Sequence, residues 1–462
     1  MIEPKGTQKE VLALPPSGHT VVLGTAGSGK TTMALLLARK LSNLSGSPNI
    51  LVVTFNRALV AYMNAIQSST RGIVVEHFHL FALGYLKSQG LNTDYVILPE
   101  DIKENIITEI VEEKRKSAPT ESTYLRPVNT FLEEIEFLER FGVSSLEEYI
   151  SMERVGRSDT YIARDKRKYF YNVYESYKSK RKEKGYLYDW DDLAITVYKT
   201  LLSDKKERRY KHIIVDEGQD FSPMMLKALV KAVGEEGSFT FFGDVAQQIY
   251  GNALSWKSSG IDTKKVWRFE NNYRNPVEIA EFAQDIVKHP KWEAKGEEYI
   301  MPKFEIPAAG VKPMLIKYKS IDEEKQGFAR LLKNRGGRNV IIVKNRQFVK
   351  DFMSELRKNG VTSYEIRKEQ NSSIQDGVYV STFHSAKGLE FDNVFIPYLN
   401  EEDYPDLKML DDSENKDRVF ANALKLFYVA VTRARQSVIM SYSSKLTKVF
   451  PENSVNYIRR EL

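Results

Sequence analysis

Gly24-Thr25-Ala26-Gly27-Ser28-Gly29-Lys30-Thr31 lies between an apolar run, Thr20-Val-Val-Leu23, and a stretch with helical periodicity, Thr32-Met-Ala-Leu-Leu-Leu-Ala-Arg-Lys-Leu41. Strand, glycine-rich turn and helix in that order make a phosphate-binding loop. The glycines let backbone N–H groups face phosphate oxygens, Lys30 reaches the outer phosphates, and the Thr31 hydroxyl can hold Mg²⁺. Thr25, Ala26, Ser28 and Thr32 complete the cradle. The expected ligand is a nucleoside triphosphate with its Mg²⁺, and the expected fold class is α/β.

Working outward, His212-Ile-Ile-Val-Asp216-Glu217 supplies the second half of such a site. An apolar strand there ends in two carboxylates. Asp216 is suited to the Mg²⁺ shell, and Glu217 can orient and deprotonate an attacking water. Further runs read as buried parallel strands: Ile50-Leu-Val-Val53, Phe239-Thr-Phe-Phe242, Val340-Ile-Ile-Val343, Val378-Tyr-Val-Ser381 and Val394-Phe-Ile396. Several precede helical patterns, so two sheets flanked by helices are expected, one before and one after Asn275.

Between Gly84 and Arg209 the chain changes to charged, helix-favouring sequence such as Asp101–Arg115, which predicts an inserted helical subdomain. Its later part, Asp165–Gly185, interleaves basic and aromatic residues. That pattern fits a phosphate-tracking surface, or a solvated helical face with its aromatics in the core; the second is the commoner outcome.

The chain has 462 residues, enough for two to four domains, and 42% of them are hydrophobic. Its net charge is +6 and it contains no cysteine, which excludes disulfides, thiolate zinc sites and cysteine nucleophiles. Six scattered histidines make a metal cluster unexpected. No run of uncharged apolar residues reaches membrane-spanning length and no leader pattern opens the chain, so a cytoplasmic protein without membrane association is expected.

Asp216-Glu-Gly-Gln-Asp220, Gly243-Asp-Val-Ala-Gln247-Gln-Ile-Tyr250, Asn272-Tyr273-Arg274-Asn275, Val380-Ser-Thr-Phe-His384-Ser-Ala-Lys-Gly388-Leu-Glu390 and Phe427-Tyr-Val-Ala-Val-Thr-Arg433-Ala resemble, in order, the motifs of UvrD/Rep-type superfamily 1 helicases. Thr54-Phe55-Asn56 and His77-Phe-His79 resemble the early motifs, and Gln8 stands where the family has its adenine-reading glutamine. The resemblance implies two RecA-like P-loop domains with ATP bound between them. Its boundaries would be 1–85 and 206–272 for the first domain, 86–205 for the helical insertion and 273–462 for the second domain. It also implies that Arg274 and Arg433 reach the γ-phosphate, that Gln247 senses it, that Tyr273 stacks on adenine and that Glu390 lies near the ribose. Phe55, Asn56, His79, Tyr250, Thr382 and His384 would contact single-stranded DNA, with ATP and Mg²⁺ as cofactors and single/double-strand junctions as substrate.

The chain departs from that family pattern in three places. The large second insertion expected before the His-Ser-Ala-Lys-Gly motif is missing, since Val340–Asn359 runs through Tyr364–Ser373 directly to Val378. Gly251-Asn252-Ala253 replaces a family aromatic, with Trp256 as a substitute for DNA stacking, and Gly218 stands where an aromatic is common. No nuclease pattern follows Arg435, so a nuclease would be a separate partner chain. Three readings follow: a 3′-to-5′ translocase or helicase on single-stranded DNA, a nucleotide-switched subunit that recruits a partner such as a nuclease, and an RNA motor, which base stacking alone does not exclude.

Overall fold

The computed structural model describes residues 3–44, 49–54, 60, 72–91, 93, 96–152, 154, 160–244, 256, 259–292, 303–304, 311–366, 375–387, 389–405 and 416–462. Six strands form a first, all-parallel sheet: β1 (Gly18–Gly24), β2 (Ile50–Thr54), β3 (Ile73–His77), β4 (Tyr210–Val215), β5 (Val233–Gly243) and β6 (Val266–Phe269), in the order β3-β2-β4-β5-β1-β6. A short pair, β7 (Asn271–Asn272) and β8 (Lys303–Phe304), follows. Seven strands form a second parallel sheet: β9 (Met314–Lys317), β10 (Arg338–Val343), β11 (Ser363–Glu365), β12 (Gly377–Thr382), β13 (Phe391–Ile396), β14 (Ala434–Tyr442) and β15 (Ile458–Glu461), in the order β11-β12-β10-β13-β14-β9-β15.

The seven apolar runs read from the sequence all lie within strands. They are continuous rather than alternating because helices cover both faces of a parallel sheet. β2, for example, is buried at all five positions. Helix Lys30–Leu44 leaves β1 and packs on one face through Met33, Ala34, Leu37 and Leu41. Helices Phe78–Ser88, Leu193–Ser203 and Pro223–Lys231 cover the other. The second sheet is sandwiched in the same way, with Phe282, Leu424 and Phe427 on one side and Phe328, Phe352 and Leu356 on the other.

Helices Glu100–Ser117, Val128–Phe141, Leu146–Ser151 and Arg167–Glu183 build a separate core around Ile107, Phe131, Tyr149, Phe170 and Tyr177. The aromatics of Arg167–Glu183 belong to that core, so its basic-aromatic pattern is a helix with its rings inside. The chain enters and leaves this unit side by side: Leu98 N donates to Tyr188 O at 2.8 Å and Leu187 N to Val96 O at 2.8 Å. Helix Leu193–Ser203, inside the expected 86–205 span, instead packs Leu193, Val197 and Leu201 into the first sheet's core.

A buried charge network closes the unit. Lys103 Nζ lies 2.8 Å from Glu139 and 3.0 Å from both Asp189 and Asp191, while Arg181 pairs with Asp189 and Asp192. Glu139, Asp189 and Asp192 come close enough together to chelate a cation, and each forms an ion pair with Lys103 or Arg181. Among the described residues no helix is long and apolar enough to cross a membrane.

Candidate functional site

Ligands of open α/β sheets bind at the carboxyl ends of the strands. Four strands of the first sheet bring chemistry to that edge. β1 ends in the phosphate-binding loop, β4 in Asp216 and Glu217, β5 in Asp244, and β2 in Thr54, whose register partner on β3 is His77.

Gly27 and Gly29 adopt positive φ, 74° and 82°, where a side chain would be strained. Lys30 Nζ donates to Gly24 O at 2.9 Å and Thr25 O at 2.8 Å and lies 3.7 Å from Asp244. Thr31 Oγ1 donates to Asp216 Oδ2 at 2.6 Å. Among the described residues Asp216 Oδ1 is buried and accepts no hydrogen bond, a position a hard cation would satisfy. Burial, then the neighbouring Glu217 charge, push the Asp216 carboxyl up to about 7. Thr31 and Asp216 thus fit Mg²⁺.

Glu217 is 9% exposed and sits in the left-handed region at φ 51°. Strain of this kind costs about 1–3 kcal/mol and persists where surroundings enforce it. They do so here: Gln219 Nε2 donates to Glu217 Oε2 at 2.6 Å, and Gln219 Oε1 accepts from Asp244 N at 2.8 Å. Ser222 caps helix Pro223–Lys231 behind this turn. Burial pushes the Glu217 carboxyl up, but Lys30, Lys387 and Arg433 outweigh burial and hold it below the usual range.

The second half of the chain faces this edge. Arg433 is 1% exposed, with Nε donating to Val429 O at 3.0 Å. Burial and the repulsion of Arg274 lower its guanidinium to about 10, so it stays charged at neutral pH. Arg274 pairs with Glu390, whose other oxygen accepts from Arg435 Nε at 2.9 Å. Gln8 Nε2 donates to Ser28 O at 3.0 Å, and the Lys5 ammonium lies 5.7 Å from the Tyr273 ring centroid. A cavity of about 500 Å³ is bounded by Gln8, Lys30, Thr31, Thr32, Glu217, Tyr273, Arg274, Glu390, Arg433 and Arg435. The sequence reading left Arg435 out, although it stands two residues past Arg433. It also left out the buried ion pair of Lys387 with Asp220, which joins the two halves.

The expected DNA contacts are placed less completely. Phe55, Asn56, Gln247, Tyr250 and the Gly251–Ala253 departure lie outside the described residues. Thr382 ends β12, its Oγ1 accepting from Ser385 N at 3.2 Å, and His384 is exposed in the same turn. Phe383 between them stacks on Tyr404 at 5.0 Å, which anchors the turn. His79 is half-buried edge-on to Trp190 at 4.9 Å, an aromatic the sequence reading did not single out. Trp256 is half-buried and packs edge-on against Phe241 at 5.0 Å. Phe241 also explains Gly218: a Cβ there would meet its ring at 2.2 Å, so this ring fills the space an aromatic at position 218 would need.

Comparison with known proteins gives the family of the chain. The chain is 27% identical over 316 residues to DNA helicase II of Haemophilus influenzae, covering 61% of this chain and 40% of that one. It is 24% identical over 321 residues to the ATP-dependent DNA helicase UvrD2 of Mycobacterium tuberculosis, covering 63% and 44%. A Mycoplasma pneumoniae protein described as a probable DNA helicase aligns over 477 positions at 23% identity, covering 92% and 80%. The chain therefore spans about two fifths of the length of the first two relatives. Residues 361–445 match the UvrD-like helicase C-terminal domain and residues 5–264, more than half of the chain, match the UvrD/REP helicase N-terminal domain, so the chain belongs to the UvrD/Rep helicase family.

Proposed function

We propose that this chain is an ATP-driven motor that hydrolyses ATP in the cleft between its two sheets and uses the cycle to move along single-stranded DNA, 3′ to 5′, opening duplex at junctions. One observation carries the reading: Arg433, at the start of β14, faces Glu217, at the end of β4, across a cavity that the phosphate-binding loop bounds. Each half is incomplete alone.

In this reading Lys30 exchanges its loop carbonyls for phosphate oxygens. Thr31 and Asp216 hold Mg²⁺, which neutralises phosphate charge when bound. Glu217, kept ionised by its cationic neighbours, accepts the proton of the attacking water. Arg433 and Arg274 meet the charge that builds on the transferring phosphoryl group, where an arginine is worth roughly 10³–10⁵ in rate. Arg274 must leave Glu390 to do so, and Glu390 then becomes available to the ribose with Arg435 still holding it. Gln8 and Tyr273 flank the adenine, and Gln247 senses the γ-phosphate. His79 with Trp190, and Thr382 with His384, supply stacking and phosphate contacts, joined by Phe55, Asn56 and Tyr250.

Glu217→Gln tests this directly: it should bind ATP normally and lose DNA-stimulated hydrolysis. Full turnover in that variant would remove Glu217 from the chemistry. A second reading, a nucleotide-switched subunit for a partner such as a nuclease, is favoured by the short path from β11 to β12, residues 366–376, where no insertion is present to engage duplex. Processive unwinding of 3′-tailed duplex by the purified chain would dismiss it. Matched DNA and RNA oligomers would separate the RNA alternative.

A further inference from the structure

The segment Asn272–Asn275 bridges the two halves of the cleft, and its two asparagines have no role in the chemistry above. Asn275 is 1% exposed, and its Nδ2 donates to Thr432 O at 3.2 Å and to Ala434 O at 2.6 Å. These carbonyls lie immediately before and after Arg433. Asn275 Oδ1 accepts from Asn272 Nδ2 at 3.0 Å, and Asn272 Oδ1 accepts from the backbone N–H groups of Arg274 at 2.9 Å and Asn275 at 3.0 Å. Asn272 in turn rests on the phosphate-binding loop. A Cβ on Gly27 would meet Asn272 Oδ1 at 2.3 Å, and Tyr273 N donates to Gly27 O at 2.9 Å.

We propose that Asn275 is a positioning residue for Arg433: its amide, fixed against the phosphate-binding loop through Asn272, sets the reach of the Arg433 guanidinium into the cleft. The inference rests on the reading of Arg433 as the arginine that meets the transferring phosphoryl group. Among side chains of this size only a carboxamide offers two N–H groups to two carbonyls while accepting a third bond. The amide orientation follows from the same fact, since an oxygen facing Thr432 O and Ala434 O would repel both. The network also sets the Arg274 backbone, so both arginines are registered to one loop. A finger held from two peptide planes has little freedom to miss, and misplacement of a catalytic group by about 1 Å costs on the order of 10² in rate.

The test compares Asn275→Ala, Arg433→Ala and the double variant. Asn275→Ala should lower kcat of DNA-stimulated ATP hydrolysis about 10- to 100-fold while ADP affinity and KM stay within about twofold. Affinity for ADP with fluoroaluminate, a mimic of the phosphoryl group in transfer, should fall by a similar factor. If Asn275 acts through Arg433, the double variant binds that mimic no more weakly than Arg433→Ala alone. Additive losses would overturn the proposal, as would wild-type kcat in Asn275→Ala. Should Asn275→Ala fold poorly, judged by melting and ADP binding, Asn275→Ser keeps one donor and should show an intermediate loss of kcat; wild-type kcat there would overturn the proposal equally. Wild-type kcat in Arg433→Ala would instead strike the reading of the site itself, a distinguishable failure.

Discussion

Lys387 and Asp220 form an ion pair between the turn after β12 and the motif that carries Glu217, with side chains 7% and 5% exposed. Lys387→Met keeps the aliphatic stem and deletes the ammonium. Asp220 would then be buried without that partner and beside the negative Glu217, in surroundings whose burial already raises its pKa. Removing one member of a buried pair costs about 3–5 kcal/mol, most of it the isolated charge that remains. Salt screens such a site far less than a surface pair. Lys387 belongs to the second half of the chain and Asp220 to the first, so the cost falls on closure of the cleft. Taking about 3 kcal/mol, at 1.4 kcal/mol per factor of ten, closure is disfavoured about 10²-fold. The absence of native cysteines allows Ser203→Cys and Lys358→Cys, both exposed, to carry a donor–acceptor dye pair. With nucleotide and single-stranded DNA bound, Lys387→Met should shift the population toward the separated state and lower kcat in step. Lys387→Met with Asp220→Leu should recover much of both, because replacing a whole buried pair by apolar groups is often neutral. Closure and kcat unchanged in the single variant would refute the reasoning, and so would a double variant no better than the single one.

Other perturbations probe separate parts of the molecule. Lys103→Met leaves Glu139, Asp189 and Asp191 without their shared ammonium and should destabilise the helical insertion by about 3–5 kcal/mol in urea denaturation, with the two sheets less affected. Burial raises the Glu390 carboxyl, but Arg274 and Arg435 outweigh it and hold it at about 2, below its ordinary 4.5. A depressed carboxylate contributes stability above its unfolded pKa and loses it as pH falls toward its folded one. Glu390→Gln should therefore be less stable than the parent at neutral pH, with the gap closing between pH 4.5 and about 2; a gap independent of pH would mean the pairs contribute nothing. His79→Ala and Trp190→Ala should each weaken binding of a labelled single strand by about 1–3 kcal/mol without changing ATP affinity, measured by anisotropy. Unchanged DNA affinity in both would take this edge out of the strand path.

The strands that were legible in the sequence are those buried on both faces, where parallel pairing demands an unbroken apolar run. Of the strands that escaped, β6 and β15 have mixed patterns. β6 reads Val266-Trp-Arg-Phe269 at a sheet edge, and β15 reads Ile458-Arg-Arg-Glu461, exposed at every position. β14 begins within the motif that supplies Arg433, and two exposed polar residues, Arg435 and Gln436, interrupt its opening. The candidate site was legible because each wall is a local motif with its own chemistry. Pairings between walls were not: Lys387 and Asp220 are 167 residues apart, and nothing near either announces the other. The compensation of Gly218 by Phe241, and the contact of Trp256 with the same ring, likewise depend on ring positions that only the folded chain defines.

The paired crossing at Val96–Leu98 and Leu187–Tyr188 bears on how this protein folds. β3 ends at His77 and the next strand of its sheet begins at Tyr210, so the first sheet must be completed across a very long excursion. A long loop is slow to close, although each doubling of its length adds only about 0.6 kcal/mol. Once the helices of the excursion have collapsed on Phe131 and Phe170, however, its two ends are held together by the backbone hydrogen bonds of that crossing. The search then left to β4 runs only from the closed neck, a few turns of chain on either side. Early collapse of the insertion thus turns a contact remote in sequence into a nearly local one, and lets the first sheet assemble as though the excursion were a short loop.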